Sequence, residues 1–164
     1  MIRVILKEKG EVTKVLPRLS QRLRAALLSA MKESAVLIQS LAKLNAPVFR
    51  GMLRVSIAQN VAEDSARIVG EVGSGLPYAS VVEDGRNPWA GRQPPSGPGS
   101  DLRTWARRKL GDERLAFVVA RAIKRRGFRA QPYLRPALLG ATPRVQAIFQ
   151  ARILDALQQE GGTA

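Results

Sequence analysis

Eight apolar side chains recur at three- and four-residue steps between Leu16 and Leu41: Leu16, Leu19, Leu23, Leu27, Met31, Ala35, Ile38 and Leu41. Arg18, Arg22, Lys32 and Lys43 fall on the opposite side. This spacing predicts one amphipathic helix of about 25 residues, with Pro17 tolerated in its first turn and Asn45 and Pro47 ending it. An apolar face that long needs a sheet or another subunit to pack on. Leu23, Leu27, Ile38 and Leu41 are therefore expected to be buried on a sheet.

The strands to supply that sheet are short. Ile2, Val4 and Leu6 alternate with Arg3, Ile5 and Lys7 before Gly10, and Val55, Ile57 and Val61 share one side of residues 54–61. Residues 67–72 alternate in the same way, and Ala62-Glu63-Asp64-Ser65 between the two runs reads as the turn of a hairpin. Tyr78 to Val82 is a further strand candidate. The class expected is α+β. A single domain over 1–164 would hold an antiparallel or mixed sheet of about four strands, packed by the long N-terminal helix and followed by further C-terminal helices.

Between Gly85 and Ser100 the pattern breaks: sixteen residues contain four Gly and four Pro, with Trp89 the lone large apolar side chain. A Gly/Pro-rich loop of this length is expected to be functional, an exposed arm that orders against a neighbour. Ser100 can then cap a helix carrying Leu102, Trp105, Ala106 and Leu110 as far as Gly111. Asp112 can cap another, with Leu115, Val118, Val119, Ala122 and Ile123 apolar and Gly127 as its stop. Pro132 and Pro136 bracket an irregular segment, and Thr142 with Pro143 opens the last helix.

Chemistry is excluded more easily than it is found. The 164 residues contain no Cys and no His, which removes the imidazole base, the thiolate nucleophile, the disulfide and the His/Cys metal cage. The acidic pairs Glu63-Asp64, Glu83-Asp84 and Asp112-Glu113 are adjacent in sequence, so their carboxylates seldom converge on one proton or metal. Gly73-Ser74-Gly75-Leu76-Pro77-Tyr78 fails the dinucleotide pattern, and no phosphate-binding Gly-Lys-Ser/Thr loop exists. No enzyme and no cofactor is expected. Lys and Arg outnumber Asp and Glu by 27 to 13, a net charge of +14. The densest runs, Arg107-Arg108-Lys109 and Lys124-Arg125-Arg126, are the candidate phosphate contacts, and a basic nucleic-acid-binding protein is the alternative reading. No apolar run approaches the roughly 20 residues of a membrane span and no signal-peptide pattern is seen, so cytosolic synthesis is expected.

Three spaced segments resemble one family, the phage HK97 gp10-like neck and tail-completion proteins. The first contains Ala46-Pro47, Gly51-Met52-Leu53-Arg54 and Ser56-Ile57; the second is Tyr78-Ala79 followed by Glu83-Asp84-Gly85; the third is Pro132-Tyr133-Leu134-Arg135-Pro136-Ala137-Leu138. Their order and spacing are similar to the family's over roughly residues 20–140. The resemblance implies a structural virion protein of a tailed phage or prophage, made in the host bacterial cytoplasm. It would form a homo-oligomeric ring, a hexamer being the favoured count, at the head–tail junction or the top of the tail tube, in a neck, tail-completion or tail-terminator role. Other head–tail connector and tail-tube proteins would be its neighbours, with non-specific contact to packaged DNA and none to a membrane. Trp89, Arg92, Glu83, Asp84 and Arg86 are the expected oligomer or partner contacts.

Overall fold

The computed structural model describes residues 20–64 and 67–161. Along the chain lie α1 (Gln21–Asn45), α2 (Met52–Ser56), β1 (Ile57–Glu63), β2 (Ile68–Ser74), α3 (Ala79–Asp84), α4 (Asp101–Leu110), α5 (Leu115–Arg126) and α6 (Leu134–Gly161). The class is α+β, as expected. The chain groups into two compact units: one takes the chain up to Ala79 and again from Tyr133, the other is Ser80–Pro132.

In the first unit the expected long helix forms. The Ser20 hydroxyl accepts a hydrogen bond from the Leu23 amide at 3.2 Å and starts α1, a helix of 25 residues. At its end Ala46 turns extended (φ −63°, ψ 128°), the conformation forced on a residue that precedes proline. Leu16, Pro17 and Leu19 lie outside the described residues. What α1 packs against is not the sheet alone: it lies along α6 as well as on β1 and β2. The two helices run antiparallel. Arg22 donates to the Gln159 carbonyl at 3.0 Å, and Glu33 pairs with Arg152 at 3.0 Å.

That second partner changes which side chains are buried. Ala30, Ser34, Ile38 and Ala42 form a fully buried line at four-residue steps, flanked by Met31 and Ala35. On α6, Ala137 and Ala141 repeat the same spacing. Small side chains on such rows let two helix backbones approach closely. Of the four residues expected in the core only Ile38 is fully buried; Leu23, Leu27 and Leu41 are half-buried at the margin. The leucines mark the helix's apolar side, and the alanines mark where it is clamped.

The described part of the sheet is small. Among the described residues it has two strands, β1 and β2, paired antiparallel from Ile57↔Ser74 to Glu63↔Ile68. The expected hairpin is therefore present, with Ile57, Val72 and Gly70 buried toward the core, but Ala62 and Glu63, expected in its turn, pair as strand with Val69 and Ile68. Residues 2–7 lie outside the described residues. Residues 54–56 are not strand. Gly51, at φ +76°, opens the single turn of α2, whose Leu53 carbonyl accepts the Ser56 hydroxyl at 2.8 Å. Tyr78 to Val82 is corrected too: Tyr78 lies in a turn, and Ala79 to Val82 fold into α3. The buried residues there are Ala79 and Glu83, four apart, which is a helical interval and not the two-residue one of a strand. The β-branched pair Val81-Val82 gave the misleading signal.

The prolines near the C-terminus also behave differently. Pro136 does not bracket an irregular segment; it sits in the first turn of α6, where a missing N–H leaves nothing unpaired. Pro143 does not open the last helix but lies inside one of 28 residues. The carbonyl of Leu139 thereby loses its amide partner, at a position whose side chain is 67% exposed and open to water.

Candidate functional site

In the second unit, Ser80–Pro132, the Gly/Pro-rich loop is tied down at its start. Arg86 and Phe128 exchange both backbone hydrogen bonds, each 2.8 Å. Glycines flank this bridge. A Cβ on Gly85 (φ +77°) would stand 2.8 Å from the Phe128 carbonyl oxygen, and one on Gly127 (φ +81°) would overlap that of Arg86. The close crossing of the two chains therefore requires glycine on both sides.

Beyond the bridge the loop is held by two cations. The Trp89 amide donates to the Lys124 carbonyl at 2.7 Å, and the Lys124 ammonium returns to the carbonyls of Trp89 and Gly91. The Arg86 guanidinium donates through Nε to the Ala90 carbonyl at 2.7 Å and through Nη2 to the carbonyls of Ala90 and Arg92. Trp89 sits at the centre of this grip at φ +62°, a conformation costly for a bulky residue and kept only where its surroundings impose it. Its side chain is 61% exposed. The loop is thus a rigid mount for one outward-facing indole, built by its own unit.

The expected contact residues therefore separate. Trp89, Arg92 and Asp84 are exposed; Glu83 is buried, 5% exposed, and the Arg86 guanidinium is engaged inside the loop. The basic runs separate as well. Arg107, Arg108 and Lys109 occupy the last turn of α4, and Lys124, Arg125 and Arg126 the last turn of α5, positions where cations offset the negative end of a helix. Lys124 is turned into the loop, and Arg125 and Arg126 face solvent. A shallow cavity of about 360 Å³ lies between Pro98, Gly99, Arg103, Thr104, Arg107 and Glu113, with Arg103 paired to Glu113 at 2.7 Å. Among the described residues no group of three or more Asp and Glu could hold a metal ion.

Most of the motif residues build the scaffold. Ala46, Leu53, Ile57, Ala79, Tyr133, Leu134 and Ala137 are buried, and the Ser56 and Ser74 hydroxyls share a hydrogen bond of 2.7 Å across the start of the hairpin. Pro47 and Leu138 are half-buried; Arg54, Tyr78, Pro132, Arg135 and Pro136 are exposed. The motif fixes the shape, and the exposed surfaces lie mostly outside it.

One such surface lies on α5. Leu115 and Val118, two of the apolar positions read from its sequence, are 37% and 59% exposed, as is Phe117 at 57%. The buried positions are Ala116 and Ala120. Their four-residue spacing is the signal that could have identified the inner face. On the outer face Arg114, Arg121 and Arg125 lie between Phe117 and Val118, all exposed. In the first unit, an open groove of about 570 Å³ runs along α1 and α6, lined by Glu33, Val36, Leu37, Ser40, Arg144, Ala147 and Ile148.

Residues 10–85 match the family model described as "Bacteriophage HK97-gp10, putative tail-component". The match takes in the first two motif segments and stops before the third. No curated protein and no solved structure gives a significant match to the chain. No helix among the described residues is long and apolar enough to cross a membrane.

Proposed function

We propose that this chain, similar over residues 10–85 to a family of phage tail components, is a structural virion protein. In this reading it assembles as a closed homo-oligomeric ring at the head–tail junction or the top of the tail tube. Its work is binding and geometry, without turnover. The observation that carries the ring is Trp89: a 61% exposed indole, on a loop whose backbone is gripped by Arg86 and Lys124. Rigid, projecting aromatics are the side chains from which protein interfaces draw most of their affinity.

A ring requires a heterologous contact, in which one surface of a copy meets a different surface of the next. Trp89 supplies the projecting half. The open groove along α1 and α6, with Val36, Leu37, Ala147 and Ile148 on its walls, is the receiving half in this reading. Neck, tail-completion and tail-terminator roles all use this geometry. Packaged DNA is a non-specific neighbour, attracted by the +14 net charge.

The absence of native cysteine makes the test clean. Ala90→Cys together with Ser40→Cys places one thiol beside Trp89 and one on the groove. Mild oxidation is expected to yield a ladder of covalent oligomers ending at the ring size, and Trp89→Ala to leave monomers by light scattering. A monomeric double-cysteine protein, or a Trp89→Ala ring of unchanged size and stability, overturns the assignment.

A further inference from the structure

The outer face of α5 has a composition that ring closure does not use. Phe117 and Val118 are 57% and 59% exposed, an unusual placement for an aromatic and a β-branched side chain on one short stretch of helix. Arg114, Arg121 and Arg125 lie between them at seven- and four-residue intervals, on the side opposite buried Ala116 and Ala120. None of the three arginines forms an ion pair among the described residues, whereas Arg103 of the preceding helix is paired with Glu113. Apolar surface and uncompensated guanidinium groups thus share one strip of helix.

We infer that this face docks an acidic, amphipathic segment of a different protein. The apolar residues of that segment cover Phe117 and Val118, and its carboxylates pair with Arg114, Arg121 and Arg125. Charge selects the partner. A second copy of this chain carries +14 overall, and the unit that bears the face has twelve basic residues against five acidic, so self-association here brings like charges together. A nucleic-acid backbone would satisfy the guanidinium groups but leave the Phe117 and Val118 side chains uncovered. An acidic helix or strand with interspersed leucines answers both, since guanidinium forks take carboxylates bidentately and exclude water from the apolar contacts beside them.

The test uses the full chain and three labelled probes: a synthetic peptide with Glu and Leu at helical spacing, a scrambled peptide of the same composition, and duplex DNA. By fluorescence anisotropy at physiological salt the patterned peptide is expected to bind about tenfold tighter than the scrambled one, the scale of one buried aromatic anchor. Phe117→Ser with Val118→Ser should erase that preference. Arg121→Glu with Arg125→Glu should abolish binding of both peptides. All four positions are exposed, and unchanged tryptophan fluorescence and far-UV spectra verify the fold. Equal affinity for the two peptides overturns the inference. So does duplex DNA that binds more tightly than the patterned peptide and is indifferent to Phe117→Ser. Ring size, read by light scattering on the same samples, keeps this outcome separate from the fate of the ring.

Discussion

Replacing Gly127 with alanine is the sharpest perturbation of the loop mount. The residue holds φ +81°, ψ −167°, a region of backbone space open essentially to glycine, and strain of this kind costs about 1–3 kcal/mol. The added Cβ would also overlap the Arg86 carbonyl oxygen, with Pro88 N at 3.1 Å and Asn87 C at 3.2 Å. All three are backbone atoms, so none can swing aside. Relief requires the Arg86–Phe128 bridge to open, and its two hydrogen bonds contribute about 1 kcal/mol each. The expected loss is therefore about 3–5 kcal/mol, the sum of these strain and hydrogen-bond terms. Gly111 is the internal control: it shares a positive φ (+79°) but has nothing within 4 Å of its Cβ position, so Gly111→Ala should cost only about 1–2 kcal/mol. The assay is built into the chain. Both of its tryptophans, Trp89 and Trp105, lie in the Ser80–Pro132 unit, so fluorescence-detected urea unfolding reports that unit alone. With a slope of about 1–3 kcal/mol per molar urea, Gly127→Ala should move the midpoint well below that of Gly111→Ala or abolish the transition. Coincident midpoints for the two variants would refute the steric argument.

Other variants probe the first unit and the charged turns. Ile38→Ala removes a side chain 1% exposed and should cost about 2–5 kcal/mol, read as a lowered midpoint in far-UV circular dichroism; an unmoved midpoint means the α1 clamp is not a core. The Ser34 hydroxyl is buried with no hydrogen-bond partner among the described residues, so Ser34→Ala should leave stability unchanged or raise it by up to about 1 kcal/mol. A loss larger than that in the same melt would mean the hydroxyl is satisfied. Arg86→Lys retains the charge but loses the planar fork that reaches two carbonyls, and should raise acrylamide quenching of Trp89 without unfolding the chain. Arg125→Ala with Arg126→Ala should make the log–log salt dependence of DNA binding shallower by up to about 0.9 per phosphate contact removed, with ring size by light scattering unchanged.

Periodic and punctuating residues made part of this fold readable. The α1 repeat, the Ser100 and Gly111 ends of α4, the Gly127 stop of α5 and the alternation of β2 all announce themselves locally. Each depends on residues within one or two turns of each other. What was illegible depends on partners far along the chain. The Ala30–Ser34–Ile38–Ala42 line looks weakly apolar because its apposition to α6 favours small side chains, and hydrophobicity alone ranks the leucines above it. Val81 and Val82 have the stiffness of strand residues, yet Ala79 and Glu83 are buried at a helical interval. Pro143 reads as a helix start, but an exposed turn tolerates the lost hydrogen bond. Among the candidate contact residues, Trp89 stood out by composition. The grip of Arg86 and Lys124 on loop carbonyls did not, because side-chain-to-backbone hydrogen bonds leave no pattern in sequence.

The Ser80–Pro132 unit interrupts the first unit between Ala79 and Tyr133, and its neck is sewn shut by Gln131 N to Val82 O at 2.8 Å and by the Arg86–Phe128 bridge. This arrangement bears on the order of folding. For α6 to find α1, a loop of about 90 residues must close if the insert is still unfolded, but only about 35 flexible residues if its neck has already formed. The difference in closure entropy is about 0.8 kcal/mol, roughly a fourfold gain in the rate of helix docking. The insert thus acts as a splint for the chain that surrounds it. The family match ends at residue 85, just inside that neck, where an insertion can change in length while the two long helices still meet.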